Sequence, residues 1–98
     1  MKIPNKLDVL SHEIKIDFVT SVQHEDAGSY CNYYDTINIH GLKEGISEAA
    51  QAETFMHELI ECINERLDLK MNHTQITSVS ANLFHIIRNN NLDFRKSK

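Results

Sequence analysis

Seven apolar residues, Ala52, Phe55, Met56, Leu59, Ile60, Ile63 and Leu67, constrain this chain more than any other feature. They recur at spacings of three and four, the signature of a helix that buries one face. The segment predicts a helix over about 47–67. Ser47 suits its N-cap, and Glu48 in the first turn suits the helix dipole. His57, Glu61 and Asn64 fall on the face opposite the apolar stripe. Within this helix the chain reads Thr54-Phe55-Met56-His57-Glu58-Leu59-Ile60-Glu61. Residues four apart share a helical face, so His57 and Glu61 point together, with Glu58 at the edge of that face. Helical zinc enzymes present two ligands with a general base between them at this spacing. Their second ligand is usually His. A carboxylate also serves zinc, at the cost of added negative charge in the site.

The rest of the chain supplies the partners for that helix. Around 12–22, Ile14, Ile16 and Phe18 alternate with Glu13, Lys15 and Asp17, which predicts a half-buried strand. Residues 23–28 read as a polar turn. Residues 29–34 are rich in tyrosine, residues 36–39 read Thr-Ile-Asn-Ile, and Asp35 breaks between them. An antiparallel meander of two or three strands follows from this order. Residues 1–10, with Pro4, read as a lead-in, and residues 40–45 as a loop. After a connector over 67–72, a second helix is expected over about 73–89, with Ile76, Val79, Leu83, Ile86 and Ile87 as its apolar set. The asparagines at 89–91 stop it. Strands followed by two helices joined by a short turn make an α+β fold.

Composition narrows the function. A chain of 98 residues is one domain, residues 1–98, with a single core. The net charge of −4, without a basic stripe, argues against nucleic acid as a partner. No apolar run is long enough to span a membrane, and none resembles a signal peptide. Cys31 and Cys62 form no metal-like pair and read as reduced thiols of a cytoplasmic protein. Cys62, Phe55 and Met56 belong to the core by phase.

A catalytic zinc needs three protein ligands and one open position. His73, at the start of the second helix, is the candidate third ligand. The turn after about residue 67 brings it back alongside the first helix, near the stripe of Thr77, Ser80 and Phe84. The expected site is therefore His57, Glu61 and His73 holding Zn2+, or another divalent transition metal, with Glu58 as base.

Thr54, His57, Glu58, Glu61, Ile63, Asn64, Leu69 and His73 together resemble the pattern of small phage and prophage proteins with a zincin-like fold. That pattern is Thr-x-x-His-Glu-x-x-Glu, then Ile-Asn, then Leu-x-x-x-His. The resemblance covers residues 53–90, and the strand at 36–39 resembles the one preceding the active helix in zincin-like peptidases. It implies a minimal zincin-like core in a bacterial host cell, with metal ligation by His57, Glu61 and His73. It further implies a metallopeptidase in which Glu58 activates a metal-bound water and an extended peptide lies on the 36–39 strand edge. The alternative is a non-catalytic binder on the same scaffold that engages a host or defence protein. A metal that merely staples the fold is a third reading.

Overall fold

The computed structural model describes residues 3–19, 28–31, 34–40 and 47–92. Four strands come first: β1 (Lys6–Val9), β2 (His12–Val19), β3 (Gly28–Cys31) and β4 (Thr36–His40). Two helices follow, α1 (Glu48–Leu67) and α2 (His73–Asn89). The class is α+β, as the order of patterns predicts. The turn expected over 23–28 and the loop over 40–45 lie outside the described residues, except for Gly28 and His40, which belong to strands.

The sheet differs from the expected meander in two ways. It has four strands, because residues 6–9 form a strand antiparallel to β2, with Leu7 opposite Ile14 and Val9 opposite His12. Its order is β1-β2-β4-β3, and β2 runs parallel to β4. The β3–β4 pair is antiparallel but enters the sheet by β4, with Ile16 beside Ile37 and Phe18 beside Ile39, leaving β3 outermost. Alternation sets which face of a strand is buried but leaves open which strand is its neighbour. The parallel pairing was therefore not readable from 12–22 and 36–39. Asp35, with φ of 49°, makes the expected break before β4.

One face of the sheet carries Ile14, Ile16, Ile37 and Ile39, all buried, and α1 covers it with Ala52, Phe55, Met56 and Cys62. Each large apolar side chain so buried contributes roughly 1.5–3 kcal/mol. α2 packs mainly on α1, not on the sheet, so α1 is enclosed from two directions. That explains why its polar residues Gln51 and Glu58 are buried with its apolar ones.

The helix ends follow local rules. Ser47 caps α1, its hydroxyl accepting from the Ala50 amide at 3.1 Å. At the other end Asp68 adopts a left-handed conformation, while the amides of Asp68 and Leu69 return to the carbonyls of Glu65 and Asn64. This is the paired bonding of a Schellman turn, with Asp where glycine is usual. Asn72 caps α2 through a reciprocal pair with Gln75, at 2.8 and 2.9 Å.

The apolar set expected for α2 is only partly the buried one. Ile76 and Phe84 are each 2% exposed and Ser80 is buried between them. Val79, Leu83 and Ile86 are 45, 37 and 51% exposed. Leu67, expected in the α1 stripe, is also exposed, at the last turn. Hydrophobicity alone points α2 by its most apolar stripe. The short connector and the shape of α1 turn it toward Ile76, Ser80 and Phe84 instead.

Candidate functional site

A cleft of about 600 Å³ runs along α1 between β3 and α2. Its α1 floor carries two adjacent rows, Glu53, His57 and Glu61 in one and Ala50, Thr54 and Glu58 in the other. The spacing of four residues within each row is one helical turn. Gly28, Ser29 and Tyr30 of β3 form one wall, and His73, Thr77 and Ser80 of α2 form the other. All four residues expected in the site, His57, Glu58, Glu61 and His73, therefore meet in one cavity. Among the described residues, no lysine or arginine lines it.

His57, Glu58 and Glu61 each bring one ligand atom within 4.8 Å of the other two. His73 stands outside this tight group. Its ring centroid is 5.3 Å from that of His57, with the planes tilted by 60°. The donor set can be tested against zinc. Bonds of 2.0–2.2 Å to a tetrahedral ion put ligand atoms roughly 3.4 Å apart, and the centroids of two bound imidazoles about 5.2 Å apart. The histidine pair already has that ring separation. The group of His57, Glu58 and Glu61 could hold a metal ion, and the ring separation of the histidine pair is compatible with His73 joining it.

Glu58 differs from its neighbours in burial. It is 6% exposed, whereas His57 and Glu61 are half-buried and His73 is exposed. The sequence places Glu58 at the edge of the polar face, and α1 lying against β3 is what buries it. That approach depends on Gly28. A Cβ there would lie 2.7 Å from Thr54 Cγ2, 2.8 Å from the Asn38 carbonyl oxygen and 3.5 Å from Glu58 Cγ. A glycine opening a strand signals close approach of another element, and this signal is lost when residues 23–28 are read only as a turn.

The expected tyrosine cluster divides. Tyr30 is a half-buried cleft residue, Tyr34 is exposed, and Tyr33 lies outside the described residues. Burial first, and then the neighbouring Cys62 thiol, raise the Tyr30 pKa well above its ordinary value, against an opposing pull from Arg66. Arg66 in the last turn of α1 is bonded to Asp35 of the turn before β4. His12 lies 3.8 Å from the other oxygen of Asp35. These contacts tie the lower end of α1 to the sheet beside the cleft. Cys62 is buried and free, as its helical phase predicts.

His73 also has its Nε2 3.5 Å from the Thr77 hydroxyl, a long contact one turn further along α2. His85 is exposed, away from the cleft. Of the residues not anticipated from the sequence, Glu53 and Ser29 line the cleft without a motif to announce them, whereas Thr77 and Ser80 stand with His73 as its helical phase predicts. Among the described residues, no helix is long and apolar enough to cross a membrane. The chain matches no protein-family model, no curated protein and no solved structure.

Proposed function

We propose that the cleft binds Zn2+, or another divalent transition metal, through His57, Glu61 and His73, and that the protein is a small zinc-dependent hydrolase acting on peptide bonds. The observation that carries this reading is the pair of imidazoles from two helices, 5.3 Å apart beside Glu61, with a buried carboxylate at Glu58. A zincin-like core of the kind found in small phage and prophage proteins is part of the same proposal. When bound, the metal supplies Lewis acidity at a scissile carbonyl and lowers the pKa of a water, both weakened by the charge of Glu61.

The chain's own residues do the rest. Glu58 takes a proton from the attacking water and returns it to the leaving amine. Its burial against β3 keeps bulk solvent from competing for that proton. The peptide lies along β3. The strand expected for this task, β4, is paired on both sides, by β2 and β3. Among the described residues β3 is an edge strand, with β1 at the other edge, and its Gly28, Ser29 and Tyr30 border the cleft. An extended peptide adds to such an edge by main-chain hydrogen bonds.

The test is zinc uptake by the purified chain, with His57→Ala as control. One equivalent bound by the wild type and its loss in the variant support the site. A normally folded wild type that takes up no zinc removes the reading.

A second reading has its own observation. The Glu58 ligand atom lies within 4.8 Å of those of His57 and Glu61, so it belongs to the tight group that leaves His73 outside. With Glu58 as a ligand, the site has no base left for hydrolysis and becomes a structural metal centre that staples the fold. Loss of the fold on chelation would mark that case.

A further inference from the structure

Asn64 follows Glu61 by one helical turn and faces the connector that leads into α2. Its side-chain oxygen accepts a hydrogen bond from the Met71 amide at 2.9 Å. Its side-chain nitrogen lies 3.5 Å from the Met71 carbonyl oxygen, a longer second contact. Its own carbonyl accepts from the Leu69 amide at 3.0 Å. One residue therefore grips the connector at two points, and both are part-way along the path from Glu61 to His73. The connector needs holding. Asp68 and Lys70 in it both have left-handed backbones without being glycine, a conformation that is costly for residues with a Cβ.

From the clamp onward, the path to the site is rigid. Asn72 and Gln75 close the capping box directly after Met71. His73 is the first residue of α2, so the point at which the helix begins decides where its imidazole stands. A free connector would let α2 start earlier or later, or slide along α1, and a shift of one residue turns the ring by about 100°.

We propose that Asn64 is a positioning residue for the metal centre: by binding the Met71 backbone it sets the start of α2 and holds His73 against His57 and Glu61. This rests on the reading of His57, Glu61 and His73 as ligands. Asn64 itself touches neither metal nor substrate. It belongs with the outer groups that orient ligands, whose loss typically lowers metal affinity roughly 10–100-fold.

The experiment measures zinc affinity by competition with a chromophoric chelator, and visible absorption with Co2+, on the full chain. The proteins are wild type, Asn64→Ala, His73→Ala and the double variant. Asn64→Ala is expected to bind zinc roughly 10–100-fold more weakly than wild type and to show an altered cobalt spectrum. In the His73→Ala background the same substitution is expected to change zinc affinity no further, because its effect passes through the imidazole. Equal weakening in both backgrounds overturns the proposal, since it shows a general loss of structure. Wild-type affinity in Asn64→Ala, with His73→Ala weakened, overturns it too.

Should Asn64→Ala not fold, Asn64→Asp keeps the acceptor for the Met71 amide and is expected to keep the wild-type cobalt spectrum. A spectrum matching that of His73→Ala counts against the clamp. A wild type that binds neither metal refutes the ligand set, and this inference with it.

Discussion

The imidazole of His73, first residue of α2, lies with its ring centroid 5.3 Å from that of His57, in the middle of α1. In the proposed site, with Glu58 kept as base, α1 supplies two ligands and the αα-hairpin brings the third. His73→Ala is therefore expected to lower zinc affinity at least about 100-fold, since a ligand counts for more than the outer groups that orient it. His85→Ala, on the exposed side of α2, should leave affinity unchanged. Equilibrium zinc competition measures both, and equal affinities for the three proteins would take His73 out of the site.

Glu58→Gln separates the hydrolase from the structural centre. If Glu58 is the base, the amide keeps zinc affinity within a few-fold and lowers peptide hydrolysis by roughly 10²–10⁴. Metal content and turnover of a mixed peptide library, measured on one preparation, read out both quantities. A variant that loses its zinc instead assigns Glu58 to the ligand shell.

Gly28→Ala should destabilise the fold by roughly 1–3 kcal/mol, the usual cost of overpacking. The added methyl meets the Asn38 carbonyl oxygen at 2.8 Å, and backbone in a paired strand cannot swing aside. Thermal melting should fall by about 4–8 °C per kcal/mol for a domain of this size. An unchanged melting temperature would mean that α1 does not press on β3 as described.

The two stripes of α2 can be told apart by truncation. Phe84→Ala removes a ring that is 2% exposed, and about 3–5 kcal/mol is expected. Ile86→Ala, at 51% exposure, should change stability by no more than about 0.5 kcal/mol. Urea denaturation of both variants decides the matter. A larger loss in the Ile86 variant would restore the orientation that hydrophobicity alone suggests.

Tyr30 predicts a stability loss at alkaline pH. Its folded pKa is raised above the ordinary 10.0, by burial first and by Cys62 second. In the unfolded chain the phenol ionises at its ordinary value, so the stabilisation is whole below about pH 10 and drains away as pH rises further. Tyr30→Phe has no proton to lose and should show a flatter decline between about pH 10 and 11.5. Parallel melting curves over that range would contradict the shift.

Much of this architecture is legible residue by residue. Ser47 announces the start of α1, the periodicity of Phe55, Met56 and Cys62 marks the buried side of that helix, and Asp35 marks the turn before β4. Each is a local signal, read within one or two turns of chain. Less legible are the contacts between elements. The strand at 6–9 is too short to stand out beside Pro4, and the stripe of Val79, Leu83 and Ile86 outweighs the buried Ile76, Ser80 and Phe84 in apolar character.

By itself the sequence determined the five-residue grammar of the candidate site: an imidazole, a carboxylate beside it, and a second carboxylate one turn on, because helical spacing follows from backbone geometry. It also determined that two helices, the first capped by Ser47, would follow strands. Only the tertiary structure decided that β4 enters the sheet next to β2 and leaves β3 at the edge of the cleft. The same packing buries Glu58 behind Gly28 and sets His73 beside His57. The physical reason is that periodicity orients a side chain about its own element, whereas the choice of neighbour depends on how whole surfaces fit together.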